Sequence, residues 1–142
     1  MPIIEQLFIE GDTYLQKAKA EFYLEKEEQC DAICSSCKAI KKYLDAYETF
    51  LYRGIKPSEN YHVVLHVILQ KDPDFRHFIE KIFEVKCFAE ESKRKNEEFF
   101  LYADEINETL KNVLEIRNYV ARKVKLHRKF MEEFTEPSFM ST

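Results

Sequence analysis

Strong turn formers are scarce in this sequence, which has only two glycines and four prolines among 142 residues. A β-sandwich or β-barrel needs a turn after roughly every 8 to 12 residues, so too few turn formers are present to build one. Hydrophobic residues make up 45% of the chain and charged residues 34%, which suits amphipathic helices and argues against wholesale disorder. The sequence therefore predicts an all-α fold with few connections.

The residue pattern predicts neither a targeting segment nor a membrane anchor. No apolar run approaches the ~20 residues that a membrane-spanning helix needs. The first residues, MPIIEQLFIEGD, lack the basic leader and the long apolar core of a signal peptide. We therefore expect a cytoplasmic protein without membrane contact, whose four cysteines are reduced. There is also no glycine-rich phosphate loop and no serine in a nucleophile-elbow context, and the sequence predicts no cofactor.

Apolar residues recur at helical spacing in four long segments. The first, IIEQLFIEGDTYLQKAKAEFYL, places Gly11 on its apolar side, where the absence of a side chain can admit a close neighbour. A second helix is predicted from about Glu27 to Tyr52, with Gly54 as its C-terminal stop.

Loop signals surround the short apolar stretch HVVLHVIL, which is predicted to form only one or two helical turns. Asp72 and Pro73 are typical of an N-cap and a first helical residue, and they predict a third helix that runs to about Lys95. The fourth helix is expected to start near Asp104 and to continue as far as Phe134.

Four such helices, with one longer connection between the second and third, predict an antiparallel up-and-down four-helix bundle with a short extra helix. Residues 1–135 are expected to form a single helical-bundle domain, and residues 136–142 a frayed C-terminal tail. Twelve Phe and eight Tyr are generous for a four-helix core, so some rings are expected at the interface of a homodimer.

The stretch QCDAICSSC contains three of the four cysteines and looks at first like a metal or redox site. Its residues instead continue two rows that repeat every seven residues, as the core-facing rows of a bundle helix do. The rows are Cys30, Cys37, Leu44 and Leu51, and Ile33, Ile40 and Tyr47. Structural zinc cysteines usually come as close pairs on turns, whereas free cysteine behaves as a small buried hydrophobe. We therefore predict core packing for these cysteines.

His62 and His66 are four residues apart, so one helical face can present both of them to a metal ion. The zinc-protease pattern would place a glutamate directly after the first histidine, but Val63 stands there. The sequence predicts packing or capping beneath the loop for this pair, and no metal site.

Arg117 falls between Val113 and Val120 in the apolar row of the fourth helix, where an aliphatic residue would be expected. A guanidinium in that place needs a partner, because an unpaired buried charge is very costly. Three interpretations remain open: a structural ion pair, a phosphate-binding or catalytic arginine, and a rim position with only the stem buried.

The net charge of −4 gives no general attraction for nucleic acid, so such contact needs a local patch. One stretch from residue 117 to 129 contains six basic residues and no acidic one, and positive charge there also complements the helix dipole. These residues are Arg117, Arg122, Lys123, Lys125, Arg128 and Lys129. Lys93, Arg94 and Lys95 are a second cluster that joins the first if the helix ends meet.

The layout of residues 8 to 126 resembles the HEPN superfamily, especially its small stand-alone prokaryotic members. The similarity lies in a first helix ending near AKAEFYLEKEE, a second helix CDAICSSCKAIKKYLDAYETFLYRG, the short segment YHVVLHVIL and two further long helices. It implies a four-helix up-and-down bundle, commonly dimeric, and often a toxin–antitoxin pair with a minimal nucleotidyltransferase.

The ribonuclease members of that superfamily use an arginine, often followed by a polar residue such as asparagine, and a histidine a few residues later. Arg117 and Asn118 match the first part, but no histidine follows at the family's interval. Arg122 and His127 have the interval, but on one continuous helix their side chains are about 140° apart. A histidine would be the expected acid or base in RNA cleavage. The sequence therefore looks like a HEPN-type bundle with a degenerate or absent nuclease motif.

The leading hypothesis is a binding module, rather than an enzyme, whose partner is a nucleotidyltransferase-type protein, a nucleotide or RNA. Its expected nucleotide or RNA ligands are Arg117, Asn118, Arg122, Lys125, Lys93 and Arg94. The second hypothesis is a metal-independent ribonuclease that uses Arg117 or Arg122 with His127. The third is a purely structural or scaffolding bundle.

Overall fold

The computed structural model describes residues 3–24, 29–53, 58–95 and 98–124, and within these ranges no residue lies in a β-strand. The helices are α1 (Ile3–Leu24), α2 (Gln29–Tyr52), α3 (Tyr61–Lys71), a 3₁₀ helix (Pro73–Phe78), α4 (Ile79–Lys95) and α5 (Ala103–Val124). The predicted all-α class is confirmed. None of these helices is long and apolar enough to cross a membrane.

Helix α2 lies at the centre and contacts each of the other four α-helices. Helices α1 and α4 run antiparallel to it, whereas α5 runs parallel to it. The pairs that give these directions are Asp12–Tyr43 and Glu21–Ser35 for α1, Ser92–Cys30 and Val85–Cys37 for α4, and Leu101–Gln29 and Tyr119–Tyr47 for α5.

The core follows the two rows of α2 that the sequence predicts. Ile33, Ile40 and Tyr47 are all buried, as is Leu44 of the other row. The remaining members of that row are partly buried and pack against the same cluster: Cys30, Cys37 and Leu51. Burial of this apolar stripe against the neighbouring helices is what fixes α2 in place. The predicted core-facing rows are confirmed.

Gly11 marks a close approach between α1 and α2. A Cβ atom at this position would lie 2.6 Å from Cε1 and 2.8 Å from Cδ1 of Tyr43, far inside van der Waals contact. The Tyr43 ring is fully buried and cannot swing aside. The prediction that Gly11 admits a close neighbour is confirmed, and that neighbour is an aromatic ring.

Helix α2 ends at Tyr52, as the sequence predicts, and Arg53 follows it in a turn conformation. Its φ of 50° lies in the left-handed region, which a non-glycine side chain adopts only at some cost. The predicted stop at Gly54 lies outside the described residues.

The prediction of one or two turns for HVVLHVIL is wrong, because α3 has 11 residues and about three turns. Asn60 begins the helix, and its side chain accepts a hydrogen bond from the His62 amide at 2.7 Å. One face of α3 buries Val64, Leu65 and Ile68 in the core. A good N-cap and an apolar stripe make this a full amphipathic helix despite its length.

Asp72 does precede the next helical segment, and Pro73 is at its start, but two details differ from the prediction. The first six residues form a 3₁₀ helix before α4 begins at Ile79, and the Asp72 side chain makes no capping bond. The carboxylate instead accepts hydrogen bonds from two tyrosines.

Helix α5 begins at Ala103, one residue before the predicted start, and is unbroken to Val124. The predicted continuation to Phe134 lies outside the described residues. So do Lys125, His127, Arg128, Lys129 and the predicted tail 136–142.

Candidate functional site

Arg117 is completely buried on α5 and forms an ion pair with the first helix. Its Nε atom donates to Oδ1 of Asp12 at 2.8 Å, and Nη2 donates to Oδ2 at 3.3 Å. This bidentate arrangement is the strong form of an arginine–carboxylate contact. Of the three interpretations, the structural ion pair is therefore the one observed.

Two aromatic side chains also contact this pair. The Tyr43 hydroxyl donates to Oδ1 of Asp12 at 2.6 Å, and the Arg117 Cζ atom lies 4.8 Å from the centroid of the Phe8 ring. Burial, followed by the negative charge of Asp12, raises the pKa of Tyr43 well above its usual value. We call Phe8, Asp12, Tyr43 and Arg117 the Arg117 cluster. It joins α1, α2 and α5 at one point of the core.

An open groove of about 410 Å³ lies between the 3₁₀ helix and α5, and it contains two of the predicted ligand residues, Asn118 and Arg122. We call it the α5 groove. Its lining residues are His77, Phe78, Lys111, Leu114, Glu115, Asn118 and Arg122. The carboxylate among them is already occupied, because Nζ of Lys81 lies 3.0 Å from Oε2 of Glu115. The groove therefore presents a surplus of positive charge.

Asn118 connects the α5 groove to the Arg117 cluster. The Arg117 Nη1 atom donates to Oδ1 of Asn118 at 3.0 Å. A guanidinium has only donors, so the amide oxygen must face Arg117 and the amide NH₂ must face away from it. Asn118 thereby becomes a hydrogen-bond donor for its other side, which suits an acceptor such as a phosphate oxygen.

The predicted cluster Lys93–Lys95 is exposed at the end of α4. That end of α4 lies beside the start of α2, and so does Leu101, two residues before α5, whose amide donates to Oε1 of Gln29. Arg122 is about 20 residues further along α5, or roughly 30 Å away at about 1.5 Å per residue. Lys93 and Arg94 therefore do not form one surface with Arg122.

For Arg122 and His127 to share a site, the last helix would have to break near residue 122, because on one continuous helix their side chains are about 140° apart. Helix α5 has no break through Val124, and Arg122 is exposed on it. The other arginine considered, Arg117, is held by Asp12 and is inaccessible to solvent. His127 lies outside the described residues.

Two of the QCDAICSSC thiols face α4. Sγ of Cys30 donates to the Ser92 carbonyl at 3.6 Å, and Sγ of Cys37 donates to the Val85 carbonyl at 3.8 Å. Burial, followed by the proximity of Cys34, raises the pKa of Cys37 to about 12. This thiol therefore stays protonated at neutral pH, unlike a reactive cysteine. The described ranges contain no group of three His, Cys, Asp or Glu side chains arranged to hold a metal ion.

His62 and His66 are both exposed on α3, although packing or capping beneath the loop was predicted. The His62 ring lies 5.5 Å from the Phe83 ring, and Nε2 of His66 lies 3.1 Å from Nε2 of Gln70. The cap of α3 comes from Asn60 instead. The histidines therefore lie on the outer surface of the helix.

A second buried polar cluster was missed by sequence reasoning. Oδ2 of Asp72 accepts hydrogen bonds from the Tyr47 hydroxyl at 2.5 Å and from the Tyr119 hydroxyl at 2.6 Å. Burial works to raise the pKa of Asp72, but these bonds and the charge of Lys123 outweigh it, so the pKa lies below its usual value. We call Tyr47, Asp72 and Tyr119 the Asp72 cluster. Because Asp72 precedes a proline, the sequence predicts only a helix cap there and gives no sign of its two tyrosine partners.

Comparisons of this chain with protein-family models, curated proteins and solved structures found no match.

Proposed function

We propose that this chain is a HEPN-type binding module of the cytoplasm that holds the phosphates of a nucleotide or RNA in the α5 groove. The observation that carries the proposal is the meeting of Asn118, Arg122, Lys111 and His77 in one groove whose carboxylate is paired with Lys81. Phosphate-binding surfaces combine such cationic and neutral donors.

The helix directions support the HEPN-type architecture within this proposal. Helices α1 and α4 run opposite to α2 and α5, as in an up-and-down four-helix bundle in which α3 and the 3₁₀ helix occupy the long connection. The proposal includes a homodimer and a nucleotidyltransferase-type partner. Sedimentation that shows only a monomer at micromolar concentration would contradict the homodimer. A neighbouring gene that encodes a nucleotidyltransferase would support the proposed protein partner.

The positions of Arg117 and Arg122 favour RNA binding over RNA cleavage. Arg117 is fixed by Asp12 in the core, so it supports the groove through Asn118 rather than reaching a substrate. Arg122 faces the groove from an unbroken helix. An RNA cleavage assay distinguishes a binding module from a ribonuclease. Cleavage by the parent chain that disappears in His127→Ala would favour the ribonuclease.

The binding test uses fluorescence anisotropy with a short single-stranded RNA over a series of salt concentrations. We expect Arg122→Gln together with Lys111→Gln to weaken binding by about tenfold or more, and to reduce the dependence of log affinity on log salt by about one unit per lost phosphate contact. Lys17→Gln, which removes an exposed cation of α1 outside the groove, is the matched control.

Asn118→Asp separates binding from folding. The new carboxylate can still accept from Arg117, so we expect stability to be kept, but it replaces the groove's amide donor with a negative charge. RNA affinity should fall while the thermal midpoint does not. Equal RNA affinity in all these variants, or no salt dependence, would contradict the proposal and favour a scaffolding role.

A further inference from the structure

A second groove lies where α1 begins and where α2 and α3 end, and none of the described residues that line it also lines the α5 groove. Its volume is about 560 Å³, within the range of small-molecule sites, roughly 300–1,000 Å³. We call it the Thr49 groove. It is lined by Ile3, Ile4, Thr49, Phe50, Arg53 and Lys71, among others.

One wall of the Thr49 groove is apolar and open to solvent. Ile3 is 49% exposed and Phe50 is 39% exposed, although both are large hydrophobic side chains. Ile4 continues the same wall from the first turn of α1. Apolar surface of this kind is stabilised when an apolar ligand covers it.

Two charged residues of the described ranges line the Thr49 groove, and both are basic. Arg53 is exposed and forms no salt bridge with any residue that the structure describes. Nζ of Lys71 lies 4.7 Å from the centroid of the Tyr52 ring and donates to the Leu51 carbonyl at 3.3 Å, which employs one of its three N–H groups. Among the residues that the structure describes, no carboxylate lines the groove, so its charge complements an anion.

Thr49 supplies the second polar feature. Only 3% of the residue is exposed, and its Oγ1 atom has no hydrogen-bond partner within the described part of the chain. Buried hydroxyl groups in proteins are nearly always hydrogen bonded, so an orphaned one beside a groove points to a missing partner. Valine would fill the same space without that requirement.

We propose that the Thr49 groove binds an alkyl carboxylate, a molecule with one carboxylate on an unbranched apolar chain. The chain lies against Ile3, Ile4 and Phe50, and the carboxylate accepts from Arg53 and Lys71. The Thr49 hydroxyl donates to the bound molecule. A few placed polar groups beside apolar side chains are the usual composition of a site for such a ligand.

The experiment measures binding of decanoate to the full chain by isothermal titration calorimetry, with 1-decanol as the uncharged match. We expect decanoate to bind about tenfold or more tightly than decanol, since charge-assisted hydrogen bonds to two cations are lost in the alcohol. Arg53→Gly together with Lys71→Gln should remove that difference. Lys17→Gln should leave it unchanged, because Lys17 is not in the groove.

Two of the substitutions are chosen so that weaker binding cannot be blamed on unfolding. Arg53→Gly relieves a left-handed backbone conformation, and Thr49→Val removes an unpaired buried hydroxyl, so both variants should be at least as stable as the parent chain. Decanoate affinity should nevertheless fall in each.

Three results would overturn the proposal: no decanoate binding below its micellar concentration, equal affinity for decanoate and decanol, or unchanged affinity in the Arg53→Gly and Lys71→Gln double variant. RNA binding at the α5 groove is independent of all three.

Discussion

The Arg117 cluster and the Asp72 cluster hold two buried carboxylates in different ways. Asp12 and Asp72 are each 8% exposed, and each accepts from a tyrosine of α2, Tyr43 or Tyr47. These tyrosines are one helical turn apart. Asp12 also faces the guanidinium of Arg117, whereas Asp72 forms no salt bridge with any residue that the structure describes.

The comparison shows how the partner of a buried carboxylate determines the stability lost when that partner is removed. Removing one side of a buried ion pair leaves an uncompensated charge, which costs far more than the pair contributes. A carboxylate held by two hydroxyl groups loses its support in smaller steps, because each hydroxyl is neutral and is replaced in part by water. The contact of α1 through Asp12 is therefore lost in one large step when Arg117 or Asp12 is changed. The contact of Asp72, before the 3₁₀ helix, is lost in two smaller steps, one for each tyrosine.

The largest effect is expected from Asp12→Ala, which leaves Arg117 buried without its carboxylate. The free energy of unfolding should fall by about 3–5 kcal/mol, measured by urea denaturation. The double variant Asp12→Leu with Arg117→Met should recover most of this loss, since the charge is removed together with its partner. Glu10→Ala is the control, because Glu10 makes only a half-exposed salt bridge with Lys42. If Asp12→Ala lowers the free energy of unfolding no more than Glu10→Ala does, the buried ion pair does not have the importance that the comparison gives it.

An intermediate effect is expected from Tyr47→Phe and Tyr119→Phe. Each removes one hydrogen bond to Asp72 and should lower the free energy of unfolding by about 1–3 kcal/mol. In the double variant the carboxylate loses both donors, so the combined loss should exceed the sum of the single losses. Strict additivity would mean that the two tyrosines do not act through a shared carboxylate. Tyr14→Phe, at a partly exposed position outside both clusters, serves as the control.

The smallest effect is expected from pH. The pKa of Asp72 in the folded protein lies below its ordinary value of 3.8, so the charged form is favoured by folding. Its contribution to stability is present above that ordinary value and is lost as the pH falls through the folded-state pKa. The difference in thermal midpoint between the parent chain and Asp72→Asn should therefore narrow below about pH 4. A difference that widens on acidification would show that the sign is wrong.

Local patterns in the sequence predict the elements of this fold well. The heptad rows of α2 depend only on residues within one helix, and every member is buried or partly buried as expected. The loop signals on both sides of HVVLHVIL predict too short a helix for α3, because they do not show that Asn60 caps it. Its buried stripe of Val64, Leu65 and Ile68 carries the helix through three turns.

Long-range partners could not be predicted in the same way. The sequence shows that Arg117 needs a partner, but Asp12 is 105 residues away and looks like any other acidic residue of α1. Asp72 is a sequence neighbour of Pro73, which is sufficient to explain it as a cap, while its actual donors come from α2 and α5. Arg122 and Asn118 can be identified from the sequence, because Arg122 lies in a run of basic residues and Asn118 directly follows Arg117. His77 and Lys111 belong to the same groove without any such mark.

Gly11 has a consequence for recognising relatives of this chain. The Tyr43 ring fills the space beside Gly11, and the next residue, Asp12, binds both Tyr43 and Arg117. These four positions should therefore change together or not at all in related sequences, because a side chain at position 11 would displace the ring that holds the carboxylate. A search that requires Gly-Asp in the first helix, tyrosine in the second and arginine in the last would be more selective than one based on the cysteine-rich stretch.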